Sequence, residues 1–101
     1  MVRSVFVKAK IRFYTSAQTQ LNLPLIRPIR LSFWLIGFHP STFSEFTFKE
    51  PVCDFFNSFF EVDIMINITD QTKDIKKDDS FAFGPFSNPI GEGIVIERYI
   101  K

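Results

Sequence analysis

Hydrophobic and polar residues alternate with a period of two over most of this chain. From Val5 to Tyr14, apolar side chains occupy every second position, and basic side chains lie between several of them. The segment from Phe60 to Thr69 repeats the alternation, with mostly acidic, amide and hydroxyl side chains on its second face. A period of two turns one face of a β-strand toward a core and the other toward solvent. Both segments therefore predict half-buried strands.

Four shorter apolar segments predict further strands: Leu31 to Ile36, Phe46 to Phe48, Phe81 to Phe83 and Ile94 to Ile100. Proline, glycine and a charged run over residues 70–79 separate these segments, and no stretch shows a convincing helical period. We expect an all-β fold, a six-stranded antiparallel barrel that is closed or nearly closed, as one domain over residues 1–101. Closure matters because an open sheet this apolar would leave adhesive edges.

The predicted core collects one face of each strand. The chain contains 14 Phe, and a few such large side chains can fill the interior of a small barrel. We expect the core to consist mainly of Val7, Ile11, Phe13, Phe33, Leu35, Val62, Ile64, Ile66, Phe81, Phe83, Ile94 and Ile96.

The net charge of +1 hides an asymmetry between the two halves of the chain. Residues 1–44 carry six basic and no acidic side chains, whereas residues 45–101 carry eleven acidic and six basic ones. Such a split can mark a basic binding face. Alternatively, the two halves pair strand against strand and neutralise each other across the sheet.

The C-terminal part of the chain carries a recognisable combination of motifs. Two alternating segments flank a turn that contains Pro, Asn and Gly, and the second segment begins with Gly91-Glu92-Gly93. Together with Lys8 to Tyr14, Leu23 to Leu35 and Asp63 to Thr69, this hairpin resembles the C-terminal β-barrel of elongation factor Tu. The resemblance covers most of the chain except a divergent stretch from about Phe38 to Phe59. It implies a translation-factor barrel and points loosely to RNA or a translation component as a partner.

The departures from that family limit what the resemblance implies. The loop of residues 16–22 lacks the glycine, arginine and histidine of the family, and the turn of residues 85–90 lacks its two arginines. Of the family's basic groups, only Arg30 and a possible counterpart at Arg27 carry over. No Gly-rich phosphate-binding motif of a nucleotide domain is present. The resemblance therefore implies the barrel without transfer-RNA delivery.

Residues suited to catalysis are few. His39 is the only histidine and precedes Pro40 in a predicted loop, and Cys53 lies beside Asp54, which disfavours a reactive thiolate. The carboxylates of residues 70–79 alternate with lysines and do not follow the spacing of a calcium loop, which favours a solvated loop over a metal site. We therefore predict that the protein is not an enzyme and uses no metal or other cofactor.

Two features bear on the cellular compartment. No apolar run approaches the roughly 18 residues of a membrane helix, and lysines interrupt the N-terminal segment where a signal peptide would be apolar. The single cysteine favours a reducing compartment. The expectation is a cytoplasmic protein without a membrane partner.

A binding module remains the functional prediction. Basic side chains at alternate positions of a strand project from one face and could contact a macromolecule, although a solvated outer face would have the same pattern. The missing loop arginines favour a protein partner over RNA. The alternative is a structural domain that buries Phe55, Phe56, Phe59 and Phe60 by self-association. The candidate partner-binding residues are Lys8, Lys10, Arg12, Arg27 and Arg30.

Overall fold

The structure, a computed structural model, describes residues 3–15, 17, 27–37, 41–49, 59–85 and 88–99. These residues form six antiparallel strands that close into a barrel in the order β1-β4-β3-β2-β5-β6. Within these ranges there is no α-helix, and hence no helix that could span a bilayer. The predicted fold class is confirmed. The strands are β1 (Ser4–Phe13), β2 (Ile29–Leu35), β3 (Thr42–Phe48), β4 (Phe60–Asn67), β5 (Ser80–Gly84) and β6 (Gly91–Tyr99).

Aliphatic side chains from β1 and β4 line one side of the barrel interior. The register places Val7 opposite Ile64 and Ala9 opposite Val62, and all four are buried. Phenylalanine rings fill the other side, where Phe33 and Phe81 stack with ring centres 4.7 Å apart. Ten of the expected core residues are confirmed as buried: Val7, Ile11, Phe13, Phe33, Leu35, Val62, Ile64, Ile66, Phe81 and Phe83.

Strand β6 faces the opposite way from the sequence-based prediction. Ile94 is 46% exposed and Ile96 is partly exposed, whereas Val95 is fully buried, so placing the two isoleucines in the core was wrong. The physical reason is that Gly93 occupies an inward position. A Cβ atom there would lie 2.5 Å from Cζ of Phe81 and 2.8 Å from the carbonyl oxygen of Lys10. The ring of Phe81 from β5 fills the interior next to Gly93, and the side chain of the following residue, Ile94, points outward.

A β-bulge then changes the phase of β6. Ala9 pairs with Val95 and Lys8 pairs with Glu97, which leaves Ile96 without a counterpart on β1. An extra residue of this kind shifts the inside–outside alternation by one position. For this reason no single period of two describes the whole strand.

Strand β3 begins four residues earlier than the Phe46–Phe48 pattern predicts, at Thr42. The alternation of apolar and polar residues does not show this part of the strand, because two of its buried side chains, those of Thr42 and Ser44, are polar. Ser44 Oγ donates a hydrogen bond to the carbonyl oxygen of Leu31 at 2.7 Å, and Thr42 Oγ1 donates to that of Asn67 at 3.4 Å. Each hydroxyl therefore has a hydrogen-bond acceptor despite its burial.

Candidate binding surface

The three basic residues of β1 lie on its outer face between carboxylates of the neighbouring strands. Lys8 Nζ lies 3.6 Å from Glu97 Oε1 of β6, and the register also places Lys8 opposite Asp63 of β4. Arg12 Nη2 contacts Glu92 Oε1 of β6. Two of the three cations therefore already form an ion pair within the sheet.

The remaining basic candidates lie elsewhere. Arg30 belongs to β2, which is three strands from β1 in either direction around the barrel, and its Nε donates to Glu45 Oε2 of β3 at 3.2 Å. Arg27 is exposed just before β2. Because β1 and β2 occupy opposite sides of the barrel, the five candidate residues do not share one face.

These ion pairs relate directly to the charge asymmetry of the sequence. The three pairs of Lys8, Arg12 and Arg30 each join a basic residue of the first half to a glutamate of the second. The arrangement is the one in which the halves neutralise each other across the sheet. Pairs this exposed contribute little to stability, typically about 0–1 kcal/mol, but their carboxylates would repel an approaching phosphate.

The second carboxylate oxygen of Glu92 also has a hydrogen-bond donor. The hydroxyl of Tyr14 lies 3.2 Å from Glu92 Oε2, while Arg12 contacts the other oxygen. Burial raises the pKa of the Tyr14 phenol, and the negative charge of Glu92 raises it further. At neutral pH the phenol therefore remains protonated and can donate to the carboxylate.

Beside this ion pair lies a groove on the outer surface, with a volume of about 480 Å³. Its walls include Ile36, Phe59 and Ile94, which are 57%, 67% and 46% exposed. These are three of the five large apolar side chains that the described part of the chain exposes. We call this feature the apolar groove and define it by its surface side chains, Lys10, Ile36, Phe59, Ser80, Glu92 and Ile94.

The strand register brings the groove together from distant parts of the sequence. Ile94 of β6 lies between Ser80 of β5 and Lys10 of β1. Ile36 follows β2 and donates its backbone N–H to the carbonyl oxygen of Ser80 at 3.1 Å. Phe59 immediately precedes β4, which pairs with the other edge of β1. The groove thus depends on the outward orientation of Ile94.

Lys10 is the cation of β1 that forms no ion pair with a described carboxylate. Its cross-strand neighbour on β4 is Glu61, whose Oε2 lies 3.7 Å from Lys49 Nζ. The other carboxylate of the groove, Glu92, is engaged by Arg12 and Tyr14. Lys10 is therefore the basic residue of β1 that is best placed to pair with an incoming carboxylate.

The loop of residues 70–79 holds the remaining carboxylates of interest. In the described ranges, no three metal-ligating side chains are grouped closely enough to hold a metal ion. Asp79 Oδ2 instead accepts a hydrogen bond from the backbone N–H of Lys76 at 2.9 Å, and Ile75 is buried against the barrel. His39, Cys53, Phe55 and Phe56 lie outside the described residues.

Sequence reasoning found Lys10 but missed Ile36 and Ile94 as surface residues. The signal for Ile94 was present in Gly91-Glu92-Gly93, because glycines at alternate positions can mark the crowded face of a strand. Ile36 carried no such signal, since its exposure depends on where β2 ends. Comparison with models of protein families and with curated protein sequences finds no match for this chain.

Proposed function

We propose that this protein is a non-enzymatic binding module, a β-barrel of the translation-factor type that docks a protein partner through its outer surface. The observation that carries the proposal is the apolar groove, where three exposed apolar side chains converge beside a lysine that forms no ion pair with a described carboxylate. Surface patches of this composition are typical of interaction sites. The proposed family, the translation-factor barrels, rests on the sequence resemblance to elongation factor Tu, which implies a closed barrel such as the one formed here.

The groove chemistry supports binding rather than catalysis. Its described lining contributes one carboxylate, that of Glu92, and both oxygens of this group already have donors. A general acid or base needs a titratable group free to exchange a proton with a substrate. Binding needs only shape, apolar area and a few placed polar groups. We expect this binding to occur in the cytoplasm, where a single cysteine stays reduced.

A protein partner is favoured over RNA by the ion pairs of the basic residues. Lys8, Arg12 and Arg30 would each have to leave a glutamate to contact phosphate, and the first two lie on the opposite side of the barrel from the third. Among the five candidate residues, we assign direct partner contact to Lys10. Contact through the other four remains a prediction.

A tagged pull-down from cell lysate, with and without nuclease, tests the proposal. We expect a captured protein to persist after nuclease treatment and to depend weakly on salt. An RNA ligand would be lost on nuclease treatment, and its affinity would fall with salt at a log–log slope of about −0.7 for each phosphate neutralised on a single strand. The triple variant of Lys8, Lys10 and Arg12 to Ala shows whether β1 takes part.

Self-association is the second candidate function, and the 67% exposure of Phe59 favours it. Multi-angle light scattering over a concentration series decides the matter. A concentration-independent monomer would contradict self-association, whereas a stable oligomer that loses mass on Phe59→Ser would replace the first proposal.

A further inference from the structure

On the basis of this proposed function, we infer that the apolar groove binds a peptide segment of the partner in which a large apolar residue adjoins an Asp or Glu. The apolar side chain packs among Ile36, Phe59 and Ile94, and the carboxylate pairs with Lys10. The inference deepens the proposed function by naming the site and the chemistry that it recognises.

The apolar part of the recognition follows from the walls of the groove. Ile36, Phe59 and Ile94 come from three separate segments, and they leave between them a volume of about 480 Å³. This volume falls in the range of about 300–1,000 Å³ that is typical of small-molecule sites, so the groove has room for one large apolar side chain. Because the walls are apolar and exposed, covering them with an apolar side chain removes both surfaces from water.

The acidic part follows from charge complementarity. Lys10 forms no ion pair with a described carboxylate, and its neighbour on β4, Glu61, is engaged by Lys49. Glu92 lines the same groove, but Arg12 and Tyr14 hold its two oxygens. An incoming carboxylate therefore meets a lysine that forms no ion pair with a described carboxylate, and an incoming cation finds no unpaired carboxylate on the described lining.

The open shape of the groove favours a peptide over a small molecule. Sites for small molecules usually surround the ligand and bury about 70–90% of its surface, whereas this groove lies open on the outer surface of the barrel. The strands are also fully paired at the groove, since Ile94 pairs with both Ser80 and Lys10. No free strand edge is available there for backbone addition, so side chains must carry the recognition.

A second copy of the chain fits less well than a peptide. A stable dimer typically buries about 800 Å² on each partner, and the described apolar lining consists of three exposed side chains. The two other large apolar residues that the described part of the chain exposes, Phe43 and Ile68, are not part of the groove lining. The described groove is therefore the size of a peptide contact.

A bead-displayed library of random heptapeptides tests the inference with the purified chain. We expect enrichment of sequences in which Asp or Glu adjoins a large apolar residue. Fluorescence anisotropy with a dye-labelled enriched peptide should show about tenfold weaker binding to Ile94→Ser. Phe43→Ser removes an exposed apolar side chain outside the groove and should leave binding unchanged.

A charge reversal tests the role of Lys10. We expect Lys10→Glu to weaken the enriched acidic peptide about fivefold and to favour a version of that peptide with Lys in place of its acidic residue. Lys73→Glu is the matched control, because Lys73 is exposed, forms no described ion pair and lies beside Arg98 toward the far end of β6. Thermal melting checks that every variant folds, and Phe59→Ser replaces Ile94→Ser if that variant does not.

Three results would overturn the inference. They are no enrichment of any peptide, enriched peptides without acidic residues, or peptide binding that neither Ile94→Ser nor Lys10→Glu weakens. Each of these would leave the proposed function standing if the lysate pull-down still captures a nuclease-resistant protein partner. Conversely, a pull-down that captures only RNA would overturn the proposed function whatever the library shows.

Discussion

The β1–β4 seam and the β5–β6 hairpin close the same barrel by different means. Along the seam, aliphatic side chains such as Val7 and Ile64 point inward and charged ones point outward. In the hairpin, the rings of β5 occupy the interior, glycine faces them from β6, and Ile94 lies outside. Where one strand supplies large rings, its neighbour must give up side-chain volume, and its aliphatic residues become available for binding.

The largest expected difference between the two regions is in the stability lost when an isoleucine of each is truncated. Ile66→Ala on β4 removes a fully buried side chain and should lower the free energy of unfolding by about 2–5 kcal/mol. Ile94→Ala on β6 removes an exposed one and should change it by less than about 0.5 kcal/mol. Urea denaturation of both variants measures the difference, and equal losses would show that the two strands present their isoleucines in the same way.

A smaller effect is expected from adding one carbon to the inward face of β6. Gly93→Ala places a Cβ atom against the Phe81 ring and the Lys10 carbonyl, and such overpacking typically costs about 1–3 kcal/mol. Adding Phe81→Leu to this variant should recover part of the loss beyond the sum of the single changes. A stabilised Gly93→Ala variant would mean that the ring does not occupy this space.

The contrast between the two regions also explains what the sequence could reveal. The strands β1 and β4 were predictable because their inward residues are apolar and alternate with outward residues that are mostly polar or charged. Ile94 was misplaced because hydrophobicity alone assigns isoleucine to the core, while glycine counts as a break. Thr42 and Ser44 delayed the predicted start of β3 for a similar reason, since their burial depends on carbonyl oxygens of other strands.

The binding surface was only partly predictable for a different reason. A basic β1 face is visible in the sequence, but its neutralisation depends on the register that brings Glu92 and Glu97 beside it. The apolar groove combines residues from the ends of β2 and β4 with the middle of β6. Such a site forms only when the barrel closes, so no local sequence pattern predicts it.

The ion pairs on the outer face should have modest energies. A double-mutant cycle of Lys8→Ala and Glu97→Ala should give a coupling of about 0.2–1 kcal/mol, because both side chains are about half exposed. The coupling should shrink at high salt as the charges are screened. A coupling that salt leaves unchanged would contradict a solvent-exposed electrostatic pair.

The smallest expected effect is a loss of stability at alkaline pH. Burial raises the pKa values of Tyr14 and Tyr99, with further contributions from Glu92 and Asp63 respectively. A raised folded-state pKa stabilises the fold below the unfolded value near 10, and this contribution is lost as pH rises through the folded-state pKa. Melting curves between neutral and alkaline pH should therefore show a fall above about pH 10 that is smaller in Tyr14→Phe and Tyr99→Phe. An identical fall in both variants would assign it to other groups.

The orientation of β6 decides whether Ile94 belongs to the apolar groove, and thiol labelling of this strand measures it. In a Cys53→Ser background, Ile94→Cys and Val95→Cys each place one thiol on opposite faces of the strand. We expect the first to react with a water-soluble thiol reagent nearly as fast as the unfolded chain, and the second to be strongly protected under native conditions. Fast labelling at residue 95 with protection at residue 94 would contradict this orientation of β6 and remove Ile94 from the groove.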